Sequence, residues 1–172
     1  MKTLDLIYVT TGRHPETEKL ICKATRSQYA HAAVRIEIEG KQRIVEAVRP
    51  AVRMAPGNAF NDCAIMQVIS IPITEEQRLS VVERAFELVG KDYGEDDCII
   101  GGAKDVFGDE VADFLNRHID KQDSYNCSGT QTELVRAAFP DYALGHDVSK
   151  ITPEQGRILA LDLQGRLSRG EI

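Results

Sequence analysis

Residues 30–48 read AHAAVRIEIEGKQRIVEAV, and this stretch decides the fold that the sequence predicts. From Val34 to Glu39 apolar and charged residues alternate, which is typical of a strand with one buried face. Gly40-Lys41 is interpreted as a two-residue turn, and residues 43–48 as the returning strand. The stretch therefore predicts an antiparallel hairpin.

Further strands and helices are expected on both sides of this hairpin. Strands are predicted over residues 4–10 and 64–73, and a loop rich in Pro, Gly and Asn over residues 50–62. Apolar periodicity predicts the helices, which are residues 15–27, a segment from Thr74 to Gly90, an interrupted pattern over 96–119, residues 127–139, and a last helix opened by Thr152-Pro153. This order favours an α+β fold with one antiparallel sheet or barrel packed against helices.

Two helices carry predictions about their buried faces and their ends. Thr74 and Gln77 have the spacing of a capping box, and Thr152 with Pro153 has the pattern of a helix start. In the first helix Glu18 is expected to face water. The predicted apolar stripes are Leu20, Ile21 and Ala24 in the first helix, and Leu79, Val82, Ala85, Phe86 and Val89 in the helix after Thr74.

Composition and charge exclude several classes of protein. A chain of 172 residues with 42% apolar and 28% charged residues is expected to form a single globular domain, residues 1–172. Its net charge of −6 argues against nucleic acid as a partner, because nucleic-acid binding needs a basic surface. The N-terminus lacks a signal-peptide pattern and no apolar run is long enough to insert in a membrane, so a cytoplasmic location is expected, with export by a phage or secretion assembly as the alternative.

Four cysteines, Cys22, Cys63, Cys98 and Cys127, are scattered along the chain without any CxxC pair. This spacing gives no support for a zinc ribbon or a redox motif, and it is too sparse for a disulfide scaffold. We therefore expect reduced thiols, no metal site and no cofactor.

Cys127 differs from the other cysteines in its local sequence. Residues 123–135, DSYNCSGTQTELV, run from a polar turn into a helix, which places Cys127 at or next to the helix N-terminus. Helix N-termini favour negative charge, lower the pKa of a thiol and can stabilise an oxyanion. The alternative interpretation, that Cys127 is a small buried hydrophobic residue, is equally consistent with the local sequence.

A nucleophilic cysteine needs a base, and the chain has four histidines. His14 lies in a polar turn, His118 ends a helix in a position that suits a structural role, and His146 follows a Leu-Gly turn only 19 residues past Cys127. His31 begins the first hairpin strand among small alanines. His31 is therefore the candidate base. A structural role for it at the strand edge remains open.

Glu46 is the candidate group that orients His31. It interrupts the apolar returning strand, and it has the parity that places it on the same face as His31. With a Gly40-Lys41 turn, Arg35 pairs with Glu46, so His31 and Glu46 lie four residues apart along the strand. A longer turn or a bulge is needed to bring them together. Otherwise Glu46 is an ordinary surface residue.

Six short motifs resemble, in order, those of the permuted NlpC-like branch of the papain fold. This is the YiiX type of cysteine peptidase or amidase, distantly related to lecithin:retinol acyltransferase. The motifs lie within residues 4–155 and are Leu4-Asp5-Leu6-Ile7 (family GDLI), residues 27–34 SQYAHAAV (S-x-x-x-H-x-x-V/I), Ile44-Val45-Glu46-Ala47 (vIEA), Gly90-Lys91-Asp92-Tyr93 (GKpYD), Tyr125-Asn126-Cys127-Ser128 (YyCSE) and the closing Thr152-Pro153 (TP).

The resemblance implies a role for each matching residue. Cys127 is expected to be the nucleophile, His31 the general base and acid, and Glu46 the orienting group of a catalytic triad. Tyr93, Asn126 and Ser128 are expected at the oxyanion or substrate-binding site, although Tyr93 is equally suited to packing. Two departures are Leu4 in place of the first Gly, and Gly129-Thr130 where the family often has Glu-Leu.

The sequence as a whole predicts a papain-like thiol hydrolase that cleaves an amide bond through an acyl-enzyme. Peptide, cell-wall peptide and acyl lipid are all compatible substrates, and the oligomeric state is not indicated. Two alternatives use the same fold. One is an acyltransferase, thioesterase or lipid acyl hydrolase, and the other is a non-catalytic binding module.

Overall fold

The computed structural model describes residues 2–13, 15–63, 65–93 and 125–172. His14, Cys98, His118 and the helix predicted over 96–119 lie outside the described residues. None of the described helices combines the length and the apolar character that crossing a bilayer requires.

The described part of the chain forms one open antiparallel sheet with helices, so the α+β prediction is confirmed. The sheet order is β4-β3-β2-β1-β5, and every neighbouring pair is antiparallel. The strands in the described ranges form an open sheet and do not close into the barrel that was the alternative. The strands are β1 (Lys2–Thr10), β2 (His31–Ile38), β3 (Lys41–Val48), β4 (Ala51–Pro56) and β5 (Ile65–Ile73).

Four α-helices and one short 3₁₀ helix are present in the described residues. The α-helices are α1 (Pro15–Thr25), α2 (Glu75–Leu88), α3 (Cys127–Ala138) and α4 (Pro153–Ser168), and the 3₁₀ helix is Val148–Lys150. The capping box of Thr74 with Gln77 is confirmed at α2, and Thr152 caps α4 with Pro153 in its first turn. In both cases the polar cap was visible in the sequence because it depends only on local residues.

The β2–β3 hairpin has a different register from the predicted one. The turn residues are Glu39 and Gly40, both with positive φ (49° and 73°), as a type I′ turn requires. Arg35 therefore pairs with Ile44, and not with Glu46. This register places Glu46 diagonally across from His31 on the same face, within reach of long side chains. No bulge is needed.

Most of the core lies between the sheet and helices α2, α3 and α4. Leu4, Leu6 and Tyr8 of β1 face this core together with Leu134 of α3 and Ala160 of α4. The opposite face of the sheet has a smaller apolar cluster, whose members include Ile7, Val9, Ala33, Ile44 and Phe60. His31 and Glu46 share the parity of this second face, so they lie beside the smaller cluster.

Three predictions about faces and loops are wrong. Residues 50–62 are not only loop, because β4 pairs with β3 over its whole length. In α1, Glu18 is buried and Leu20 is 54% exposed. In α2 the buried residues are Val81, Ala85 and Leu88, whereas Leu79 and Phe86 are exposed.

These errors have a physical origin. Both the predicted and the observed stripes of α2 have helical spacing, so periodicity could not choose between them. Glu18 is buried because its carboxylate accepts hydrogen bonds from the backbone N–H groups of Thr11 and Gly12 and from the Thr11 hydroxyl. A buried carboxylate with this many donors holds the end of β1 in place.

Candidate active site

Cys127 is the first residue of α3, and Asn126 caps that helix. The Asn126 Oδ1 atom accepts the Gly129 N–H at 2.6 Å, and its Nδ2 donates to the Ser149 carbonyl oxygen at 2.5 Å. The oxygen and the nitrogen of this fully buried side-chain amide are therefore both hydrogen bonded to backbone groups. Asn126 fixes the helix N-terminus at the thiol, and its predicted contact with substrate stays a prediction.

The segment around residue 148 approaches the first turn of α3 closely. A Cβ on Gly129 would lie 3.0 Å from the Val148 carbonyl oxygen and 3.1 Å from Asn126 Oδ1. A larger residue at position 129 would therefore crowd the helix start unless the Val148 carbonyl or the Asn126 side chain shifted by a few tenths of an ångström. Ser128 is buried, and its Oγ lies 3.9 Å from the Cys127 Sγ.

His31 and Glu46 are brought together by the hairpin register. His31 Nε2 lies 2.8 Å from Glu46 Oε2, and the His31 side chain is 12% exposed. Glu46 is 1% exposed, so it is not the ordinary surface residue that the sequence left open. Because a carboxylate can only accept, it fixes the imidazole with a proton on Nε2 and leaves Nδ1 for a second partner.

Arg53 is the residue that sequence reasoning missed. It stands directly opposite Glu46 in the β3–β4 ladder, and its Nε and Nη2 donate to Glu46 Oε1 at 3.1 and 2.9 Å. The missed strand β4 hid this pair, because a cross-strand partner cannot be assigned to a residue interpreted as loop. Glu46 thus uses one oxygen for His31 and the other for Arg53.

The pKa values of these groups follow from that arrangement. Burial alone would lower the pKa of His31, but its hydrogen bonds with Cys127 and Glu46 outweigh burial and raise the pKa from 6.5 to about 10. Burial likewise opposes ionisation of Glu46, yet His31 and Arg53 hold the pKa of this carboxyl below its usual value. The geometry therefore favours an ionised Glu46 carboxylate beside a His31 imidazolium.

His31 links the two halves of the site. Its side chain lies 2.8 Å from Glu46 and interacts electrostatically with Cys127, so helix α3 and the hairpin meet at this imidazole. Phe60 packs edge-on against the ring, with centroids 5.9 Å apart. A thiol beside an imidazolium at a helix N-terminus is in an environment that lowers the pKa of thiols in general.

A cavity of about 380 Å³ opens on the hairpin side of this site. Its described lining includes His31, Glu46 and Tyr93 together with three arginines, Arg13, Arg49 and Arg53. Cys127 does not belong to that described lining and is only 2% exposed. The described cavity wall therefore includes the His31 ring but not the Cys127 sulfur.

Tyr93 is brought to the site by backbone contacts. It forms a parallel bridge with Tyr125, two residues before the thiol, and its N–H donates to the Pro50 carbonyl oxygen at 3.0 Å. Its placement in the cavity wall agrees with either predicted role, packing or oxyanion binding.

The other candidate residues are not part of the described cavity lining or lie outside the described chain. His146 is exposed, while Cys22 and Cys63 are half-buried free thiols whose pKa values burial raises. Within the described ranges, no group of three His, Cys, Asp or Glu side chains is placed to hold a metal ion.

Comparisons with known proteins give only a distant similarity. No family model matches the chain, and no curated protein matches it. Among solved structures, the crystal structure of metalloprotein yiiX from Escherichia coli O157:H7 is similar, with a TM-score of 0.49 and 20% identity over 64% of this chain and 68% of that chain.

Proposed function

We propose that this chain is a thiol hydrolase that cleaves an amide bond, in a peptide or isopeptide, through an acyl-enzyme on Cys127. The observation that supports this most directly is the connected series Cys127–His31–Glu46, with the sulfur at the N-terminus of α3. A structural histidine needs no nucleophile on one ring nitrogen and a buried carboxylate on the other.

The first half of the proposed reaction forms the acyl-enzyme. The Cys127 thiolate attacks the carbonyl carbon, a C–S bond forms, and the carbonyl oxygen becomes an oxyanion facing the first turn of α3. The His31 imidazolium then gives its Nδ1 proton to the leaving nitrogen, and the C–N bond breaks. The amine leaves with that proton.

The second half releases the acid and restores the thiolate. Neutral His31 takes a proton from a water molecule, whose oxygen attacks the thioester carbonyl, and the C–S bond breaks. Glu46 acts through His31 as a positioning residue, because it holds the ring orientation and stabilises the imidazolium in both halves.

Alkylation by iodoacetamide tests this proposal without a known substrate. We expect Cys127 to react faster than Cys22 and Cys63 at pH 6–7, because its thiolate is stabilised by His31. His31→Ala should slow the alkylation of Cys127 by about 100-fold at that pH. The matched control is His146→Ala, which removes an exposed histidine and should leave the rate unchanged.

Two results would contradict the proposal. One is a Cys127 that reacts no faster than Cys22, and the other is an equal effect of His31→Ala and His146→Ala. The burial of Cys127, at 2% exposed, favours a second candidate, a non-catalytic binding module that uses the same cavity. In that case Cys127→Ala leaves ligand binding intact and the thiol stays slow towards alkylating agents.

A further inference from the structure

The cavity next to His31 has an uneven distribution of charge. Its described lining contains three arginines, Arg13, Arg49 and Arg53, and all three are exposed. It also contains two carboxylates, Glu18 and Glu46, which are 8% and 1% exposed. A molecule that enters the cavity therefore meets guanidinium groups first, while the acids lie behind the surface.

Both carboxylates are already engaged within the protein. Glu46 accepts from His31 and Arg53, and Glu18 accepts the N–H groups of Thr11 and Gly12 together with the Thr11 hydroxyl. Their oxygens are directed at these donors. They hold the cavity wall in shape and do not compete for a ligand at its surface.

Two of the arginines keep donors for a ligand. Arg13 donates from Nη2 to the Ala59 carbonyl oxygen at 2.9 Å, and within the described part of the chain it has no carboxylate partner. Arg53 uses Nε and Nη2 on Glu46, while its Nη1 makes no hydrogen bond with the described residues. The side chain of Arg53 is 52% exposed, so this group is accessible.

We propose that this cavity binds an anionic oxygen group, a carboxylate or a phosphate, of the molecule whose acyl group Cys127 takes. The connection to Cys127 rests on the function proposed above, whereas the anion site rests on the arginines. Planar guanidinium groups bind such oxygens in bidentate geometry. Ile21, Val48 and Phe60 also line the cavity and provide an apolar surface for the carbon chain that carries the charge.

Titration with a matched pair of small molecules tests the anion site. Glutarate and its neutral diamide, glutaramide, are added to the Cys127→Ser protein at pH 7, and inorganic phosphate is added separately. Binding is followed through the arginine Nε–Hε signals in NMR spectra. We expect glutarate or phosphate to shift the Arg13 and Arg53 signals saturably and glutaramide to leave them in place. The tighter of the two anions identifies the carboxylate or the phosphate as the group bound.

Arg13 is the arginine to change, because its one described hydrogen bond is to a backbone oxygen and Glu46 is left undisturbed. Arg13→Gln should weaken anion binding about 3- to 5-fold, and Arg13→Lys should recover part of it. Arg43→Gln is the control, since it removes the same charge from β3 outside the described cavity lining. The proposal is overturned if glutaramide binds as tightly as glutarate, or if Arg13→Gln and Arg43→Gln weaken binding equally.

Alkylation of the wild-type protein separates this proposal from the proposed function. If Cys127 reacts rapidly and depends on His31 but no anion binds, only the anion site is wrong. If anions bind saturably but Cys127 is unreactive, the hydrolase is wrong and the anion site stands. If the anion site holds part of the substrate of Cys127, the bound anion should slow alkylation of Cys127 in the wild-type protein. Unchanged alkylation at saturating anion contradicts that connection.

Discussion

The two halves of the candidate site are held in place by different kinds of interaction. His31, Glu46 and Arg53 are joined by charged contacts across three strands, and they line an accessible cavity. Cys127 is held by the neutral cap of α3 and is almost fully buried. Strand register therefore determines where the proposed base lies, whereas helix capping determines where the proposed nucleophile lies. Changes to the first half should alter pH dependence, and changes to the second half should alter stability.

Glu46→Gln is expected to have the largest effect, and it tests the half of the site formed by His31, Glu46 and Arg53. The substitution keeps the shape of the side chain but removes the negative charge that raises the pKa of His31. We expect alkylation of Cys127 at pH 7 to slow about 100-fold. The control is Glu37→Gln, which removes the same charge from β2 at a partly exposed ion pair with Lys2. Equal rates in both variants would show that Glu46 does not act through His31.

The same variant should change how stability depends on pH. The folded pKa of His31, about 10, lies above its ordinary 6.5, so its stabilising contribution is complete below pH 6.5 and is lost as pH rises towards 10. The folded pKa of Glu46 is lowered, so its contribution is present above its ordinary 4.5 and is lost as pH falls through the lowered value.

The free energy of unfolding in urea measures this dependence. The difference between wild type and Glu46→Gln should be largest from pH 4.5 to 6.5 and should shrink as the pH approaches 10. A difference that stays constant across that range would mean that His31 and Glu46 do not titrate as a pair.

Arg53 gives a smaller test of the same half, since it acts on His31 only through Glu46. Its side chain is half exposed, so water screens part of its charge. Arg53→Gln should slow alkylation of Cys127 about 3- to 5-fold and shift its pH profile, and Arg53→Lys should recover part of the rate. A purely structural role would lower the free energy of unfolding and leave that pH profile unchanged.

Asn126→Ala tests the half of the site formed by Cys127 and the N-cap of α3. Loss of the N-cap should reduce the free energy of unfolding by about 1–2 kcal/mol, because the Gly129 N–H and the Ser149 carbonyl oxygen lose their partner. Thr152→Ala is the matched control, since it removes the N-cap of α4 in the same way. We expect both variants to be destabilised in urea, but only Asn126→Ala to change alkylation of Cys127. If neither variant changes the alkylation rate of Cys127, the N-cap of α3 does not influence the reactivity of the thiol.

The position of Cys127 could be predicted from sequence more completely than the contacts among His31, Glu46 and Arg53. Asn126 and Cys127 are adjacent in the chain, and helix starts depend on local residues, so α3 was predicted to within one residue of its observed end. The pairing of His31 with Glu46 depends on the turn that joins two strands. Placing that turn at Gly40-Lys41 gave the wrong register, although the shared face of the two residues survived because parity was unchanged. Arg53 could not be found without strand β4.

The smallest prediction concerns the turn that sets this register. Glu39 adopts a φ of 49°, which is unfavourable for most residues but is tolerated by Asn, and its side chain is exposed. Glu39→Asn should therefore raise the free energy of unfolding by about 0.5 kcal/mol, measured in urea, with alkylation of Cys127 unchanged. Gly40→Ala, at a φ of 73°, should be destabilising. Glu39 lies in a turn outside the described cavity lining. If Glu39→Asn slows alkylation, the placement of His31 and Glu46 therefore depends on more than the backbone register of the hairpin.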